Sequence, residues 1–548
     1  MLIASAMLVL GPMALLVYIS FDVSGPQEAY RFGLTHYRSA LSDPDVGPAL
    51  WNTFRVVGTR MSIGFVAGVL LAWLVTRTNI PHANWLDFGM WISFFMPSLA
   101  VIQGWTFLFG GNAGLANQWL TGLPFIEESP FDVYSFWGVI WVHLMAQVLS
   151  THFVLFSLAF RNMDGQLEEA ARVAGATVPE MARRVTLPLF RPILAMVAVL
   201  AIIRGMQSFE IERILGVPAG IDVYATLLVT MISDEVPRIE EGVVLSVVIL
   251  LILVPLIFVQ RFYVGKRQYT TVSSRMKPTT TNLGPWRWPA FTFVFVTIIL
   301  LTVVPFLSLL AGSLMTRWGF FHIEQVWTLK HWAAVFSNEQ FLSAFVTTIR
   351  LGVIAGFVSM VVLFIIAYVL VRTKFRGNPT LDFIAWLPWA LPGVLLSLGI
   401  LMIVLRIPLL HFMHGTSFVL ILALLLFRFP IGVHLLRTGM MQVSKELEEA
   451  GQIVGARWWY IQMKIVRPIL MPMLLGVGLI SFIATLNEVS GVILLASTQT
   501  KTLSLLTLDY LIGAGGSKEA ASVITVVIVF LAFLAVLVGR LFGLKLNA

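Results

Sequence analysis

Apolar stretches of about 20 residues recur from one end of this chain to the other, and they leave it few ways to fold. Wound as a helix, such a stretch is long enough to cross the hydrocarbon core of a bilayer. About twelve qualify. In the first half they lie near 2–20, 53–76, 87–109, 134–160, 190–210 and 241–262. In the second half they lie near 289–312, 346–371, 382–405, 414–437, 470–486 and 520–541. In lipid every backbone donor and acceptor must be satisfied within the protein, so an all-α, polytopic membrane protein is expected. Only 12% of the 548 residues are charged and 58% are hydrophobic, more apolar surface than one soluble core hides. The absence of cysteine excludes disulfides, thiolate metal sites and a cysteine nucleophile.

The net charge of +8 would suggest a nucleic-acid partner in a soluble protein. Here lysine and arginine collect in alternate loops, which marks the cytoplasmic side. Those loops hold Arg77, Arg161 to Arg191, a polar stretch at 263–288, Arg372 to Arg376, Arg437 to Arg467 and the C-terminus. Both termini are therefore expected in the cytoplasm, with a lipid bilayer and no nucleic acid as partner. Met1 to Ser20 has neither a basic leader nor an Ala-x-Ala cleavage pattern, and is read as the first span.

The two halves repeat each other. Arg77-Thr78, Leu86-Asp87-Phe88 and Pro97 match Arg372-Thr373, Leu381-Asp382-Phe383 and Pro392 at one constant separation. Glu169, Gly175, Pro188 and Pro192 match Glu449, Gly455, Pro468 and Pro472 at a slightly shorter one. The difference is assigned to a longer loop near Gly110 to Pro130, which contains Glu127 and Glu128. The expected organisation is a first half at 1–262, a cytoplasmic linker at 263–288 and a second half at 289–548. Six spans per half is an even number, so the repeat is parallel and a partner of one loop should bind twice.

The repeated basic loops are about 161–190 and 439–469. The first carries Glu169-Ala170-Ala171, then Gly175, then Val185 and Leu187-Pro188. The second carries Glu449-Ala450-Gly451, then Gly455, then Ile465 and Arg467-Pro468. Asp164 and Ser444 are suited to cap a short helix, whose first turn favours the acidic residues that follow. Gly175 and Gly455 suit its left-handed stop. Thr177-Val178-Pro179-Glu180 reads as a capping box opening a second short helix. The prolines at 188, 192, 468 and 472 are expected to end the loop and start the next span.

This pair of loops resembles the EAA loop of importer permeases of the ATP-binding-cassette superfamily. Ser208-Phe209-Glu210 with Leu215-Gly216-Val217-Pro218-Ala219-Gly220 is similar to fused permeases of the ferric-iron importer family. The resemblance runs from about Asn52 onward, with Gly451 and Arg467 departing from the pattern. It implies a type I-like permease of twelve spans in the bacterial inner membrane. It also implies two copies of a separate ABC ATPase binding ATP and Mg, and a periplasmic or lipid-anchored substrate-binding protein. Ferric iron is the implied substrate, with thiamine, phosphonates and sugar phosphates imported by related fused permeases. The chain has no Gly-x-x-x-x-Gly-Lys-Ser/Thr loop for ATP and no convergent catalytic set, so no enzymatic activity and no cofactor of its own are expected. A twelve-span secondary transporter is the rival class, and it leaves the two loops unexplained.

Ionisable groups within spans are costly, which makes them candidates for the translocation path. These are Arg204, Glu210 and Glu212 around the end of span five, Arg428 in span ten, and Asn487 and Glu488 after span eleven. Glu210 and Glu488 take matching places in the repeat and are expected to face the pore. Arg213 is a possible partner of Glu210 one helical turn away. Arg55, Arg60 and Arg350 are read as edge residues that snorkel to the interface. His411 and His414 are read as interfacial; the metal-binding residues, if any, are unknown from the sequence.

Overall fold

A computed structural model describes residues 2–24, 30–126, 128–161, 163, 165–265 and 280–541. Most of the expected linker, 266–279, lies outside the described residues, as do Glu127 and the proposed cap Asp164. Among the described residues the architecture is helical, with only isolated β-bridges such as that joining Thr78 to Thr281.

Among the described residues, ten helices are long and apolar enough to cross a membrane, or up to thirteen if each of three bent pairs is one span. Two of the bent pairs fall on expected spans. Ala83–Phe94 and Ser98–Phe109 meet at 96°, and Asn378–Ala390 and Gly393–Arg406 meet at 112°. The matched prolines 97 and 392 are the cause. Each stands before the second helix with an extended ψ, 132° and 137°, where a proline opens a helix but cannot continue one. The third pair, Glu212–Ala219 with Tyr224–Ser233 at 89°, is a hairpin that the apolar stretches did not announce.

The chain forms two compact units. The first comprises Met1–Asp43, Leu228–Ile249 and Trp332–Ala548, the second Pro44–Leu227 and Leu250–His331. Their bounds are not those of the halves expected at 1–262 and 289–548: the first unit also includes Met1–Asp43, with the first span of the first half, and Leu228–Ile249, and the second includes Leu250–His331, with the first span of the second half. In the first unit Leu2–Ser20 packs on Gly393–Arg406. In the second, Val304–Leu314 packs on Ser98–Phe109.

Small residues let these helices approach closely, as lipid-embedded packing requires. In the first unit Glu339–Arg372 packs against Ser417–Gln442 and Arg467–Asn487. A β-carbon on Gly356 would stand 2.9 Å from the Gly478 carbonyl oxygen of the facing helix. In the second unit Val46–Arg77 packs on Leu149–Arg161, with Gly64 and Gly68 against Val148 and His152.

The repeat extends to single hydrogen bonds. The Tyr224 N–H donates to Thr53 Oγ1 at 3.0 Å, and the Leu503 N–H donates to Thr348 Oγ1 at 2.9 Å. Both opening N–H groups of these short helices would otherwise be orphaned in a buried setting.

Candidate coupling site and buried charge centres

Each repeated loop folds as two helical segments around a left-handed glycine. Gln166–Val173 and Lys445–Ile453 come first. Gly175 and Gly455 follow at φ 85° and 78°, the conformation glycine adopts without a Cβ penalty. Ala176 N–H reaches back to Ala171 O at 3.0 Å and Ala456 N–H to Gly451 O at 3.0 Å, closing the same stop in both loops. Ser444 caps its helix by accepting from the Glu446 N–H. In the first loop Glu180 Oε2 accepts from both the Thr177 N–H and hydroxyl, at 3.1 and 3.0 Å. Those two bonds hold the Glu180 carboxyl below its usual pKa.

The prolines act differently from the expectation. The second short segment does not end before the span but runs into it, as Ala182–Gly205 and Trp458–Asn487. Pro188 and Pro468 have no N–H for the ordinary ladder, and their rings crowd the carbonyl four residues back. The helix widens instead into one π-turn, Ala182–Thr186 and Gln462–Val466. There the Leu187 N–H bonds Ala182 O, and the Arg467 N–H bonds Gln462 O. Leu187 and Arg467 thus hold the same backbone role despite their different side chains.

The loops also differ. A β-carbon on Gly451 would stand 3.0 Å from Ile461 Cγ1 and 3.3 Å from Ile465 Cδ1, so the glycine answers a tighter turn. In the first loop alanine fits, and a cavity of about 380 Å³ lies beside Ala171, Ala174, Met181 and Val185.

Glu169, Ala170, Glu449 and Ala450 are exposed, and Glu449 pairs with Lys445 at 3.5 Å. The residues one position earlier are the buried ones. Glu168 is 4% and Glu448 6% exposed. Arg77 Nη1 lies 3.7 Å from Glu168, and Arg372 Nε lies 2.6 Å from Glu448. The sequence reading missed this pair of carboxylates. The signal was available: a Glu-Glu doublet occurs in both loops, and Arg77 and Arg372 already matched.

A second polar centre lies in the unit that holds half one. Arg60, read as a snorkelling edge residue, is instead 5% exposed. It donates to His143 Nδ1 at 2.6 Å and to the Gly205 carbonyl, which ends the fifth-span helix. Arginine carries only donors, so Nδ1 must accept. That leaves the His143 Nε2 proton for Glu212 Oε1 at 2.9 Å. Ser208 donates to the other carboxylate oxygen at 2.6 Å, and the Tyr224 hydroxyl caps Met206 O at 2.6 Å. Glu212, 2% exposed, is thereby a fully bonded internal group.

The remaining path candidates are less enclosed. Arg428 and Glu488 pair at 3.1 Å, with side chains 14% and 16% exposed. Gly491 N–H also donates to Glu488, at 3.1 Å. Asn487 bonds back to Ile483 O at 3.2 Å, Arg204 is exposed and donates to Gln207 at 3.2 Å, and Glu210 is half-buried. Arg55 lies over the Phe136 ring, and Arg350 donates to Ser417. No group of three or more His, Asp and Glu that would hold a metal occurs among the described residues.

Residues 349–546 match the family described as binding-protein-dependent transport system inner membrane component. The chain is 25% identical over 424 residues to a putative ferric transport system permease protein, FbpB 1, of Haemophilus influenzae. That alignment covers 74% of this chain and 63% of the relative, less than two thirds of its length. Identity is 23% to a probable ABC transporter permease protein, y4fN, of Sinorhizobium fredii, over 90% of this chain and 87% of the relative. It is 31% to the sulfate transport system permease protein CysW of Escherichia coli, over 38% of this chain and 66% of the relative.

Proposed function

We propose that this chain is a membrane permease of an ATP-driven importer, carrying two repeated halves of its translocation path on one polypeptide. The duplicated loop supports the reading most. Two loops of one design present an exposed carboxylate, Glu169 or Glu449, and an exposed apolar residue, Val173 or Ile453, from the same helix face region. Each is a seat for one copy of an ABC ATPase, with a charge-assisted bond to the carboxylate. ATP and Mg are bound by those ATPase subunits, and this chain performs no chemistry. A periplasmic or lipid-anchored binding protein delivers the substrate. The permease sits in the bacterial inner membrane with both termini in the cytoplasm.

Ferric iron is the substrate we favour, on the similarity to FbpB 1 over most of the chain. Arg204, Glu210, Arg428, Asn487 and Glu488 remain the path candidates, while the enclosed Glu212 does not. An ion in transit must be bound weakly enough to leave, so a dedicated cluster of ligands is not needed. The similarity of part of the chain to CysW favours a second reading, import of a small oxyanion. The test is co-expression with an ABC ATPase and a substrate-binding protein of ferric or sulfate importers, followed by uptake of radiolabelled ferric iron and sulfate. ATP-dependent iron uptake supports the first reading, and sulfate uptake the second. A chain that retains no ATPase on purification overturns both.

A further inference from the structure

Glu168 and Glu448 each tie together three pieces of backbone that the chain alone leaves separate. The first piece is the cytoplasmic end of span two. Arg77 and Arg372 are the last residues of the helices Val46–Arg77 and Glu339–Arg372, and each faces its buried glutamate. The second is the strand of chain that leads into the loop helix. Arg77 Nη2 donates to Met163 O and Arg372 Nη2 to Val443 O, both at 2.7 Å. The third is the segment that feeds the next span. Thr186 Oγ1 donates to Glu168 Oε1 at 2.8 Å, and Gln462 Nε2 donates to Glu448 Oε2 at 3.4 Å. The second joint has a further brace, since the Trp458 indole donates to the Tyr368 hydroxyl at 2.8 Å, and that hydroxyl donates to Glu448 at 3.5 Å.

We infer that these buried ion pairs are the joints through which movement of each coupling helix reaches span two. The inference rests on the proposed function, because it takes an ATPase as the source of movement. A coupling helix tied only by its chain connections would pull on the spans before and after it. With the joint in place it carries span two as well. Sliding the loop against Arg77 or Arg372 would strand a carboxylate and a guanidinium away from water, so the rigid-body motion is the cheaper one. Glu168 and Glu448 are positioning residues, distinct from the exposed Glu169 and Glu449 that face the partner. The same joint occurs in both units from matching residues, although the third piece supplies a threonine in one and a glutamine in the other.

The chain has no cysteine, so paired spin labels can be placed without background. Labels at Arg172→Cys on the first coupling helix and at Val66→Cys on exposed span two report whether the two move together. The complex with the ATPase is measured before and after Mg-ATP and vanadate. In the otherwise unchanged protein the distance should stay constant while transport proceeds. In Glu168→Gln the distance should change on trapping, and transport per ATP hydrolysed should fall about tenfold, a typical coupling free energy, with ATPase retained. The double variant Arg77→Glu/Glu168→Arg restores the pair, and a constant distance there separates loss of the joint from misfolding. A distance that changes equally with and without the substitution overturns the inference, as does full coupling in Glu168→Gln. If the unsubstituted chain binds no ATPase, the proposed function itself has failed, and the inference falls with it.

Discussion

Gly399 faces Pro12 so closely that a β-carbon on the glycine would stand 2.7 Å from the proline Cβ. Gly104 faces Pro305 at the same 2.7 Å in the other unit. In each unit, then, the span contributed by the opposite half is seated on a glycine of the third span at a proline. We expect Gly104→Ala and Gly399→Ala each to lower stability by about 1–3 kcal/mol, the usual cost of overpacking. Gly58 offers the control. It lies in the helix Val46–Arg77 with nothing within 4 Å of an added β-carbon, and Gly58→Ala should be neutral or stabilising by up to about 1 kcal/mol. Thermal unfolding of the purified protein in detergent distinguishes the three.

Glu212 should matter to folding more than Glu488. Its carboxylate is enclosed and bonded to His143 and Ser208, whereas the Glu488 pair with Arg428 is partly open. Removing one partner of a buried pair costs about 3–5 kcal/mol. Glu212→Gln should therefore reduce the amount of folded protein in the membrane, while Glu488→Gln should express normally. Equal yields would show that the Arg60–His143–Glu212 chain is not a stabilising unit.

The two exposed glutamates should respond unequally. Glu449 shares its charge with Lys445 four residues earlier, and Glu169 has Gly165 at that place. Glu169→Lys is expected to lower transport more than Glu449→Lys, with ATP hydrolysis measured alongside. A larger loss at Glu449 would reverse the order and locate the stronger seat in the second loop.

Acid should loosen the turn of the first coupling loop. The Thr177 bonds hold the Glu180 carboxyl below its ordinary value of 4.5. A carboxyl with a depressed folded pKa contributes its stabilisation above the unfolded value and loses it as pH falls through the folded one. Hydrogen exchange at the Thr177 amide should accordingly quicken as pH falls below about 4.5, beyond the intrinsic pH dependence of exchange. In Glu180→Gln that extra acid dependence should vanish.

Helix content, approximate span positions and the duplicated loop were legible in the residues, because lipid allows little besides helices and because two copies of one pattern confirm each other. Gly175, Gly455 and Ser444 took the local roles their chemistry prescribes. The buried member of each Glu-Glu doublet was not legible, since which of two adjacent carboxylates turns inward depends on where an arginine from another helix stands. Arg60 was misread for the same reason. Its guanidinium is neutralised by Glu212, 152 residues away along the chain, and only packing brings them together. The exchange of first spans was equally hidden. Periodicity and length decide that a stretch becomes a helix, but glycine and proline surfaces brought face to face decide which neighbour it joins.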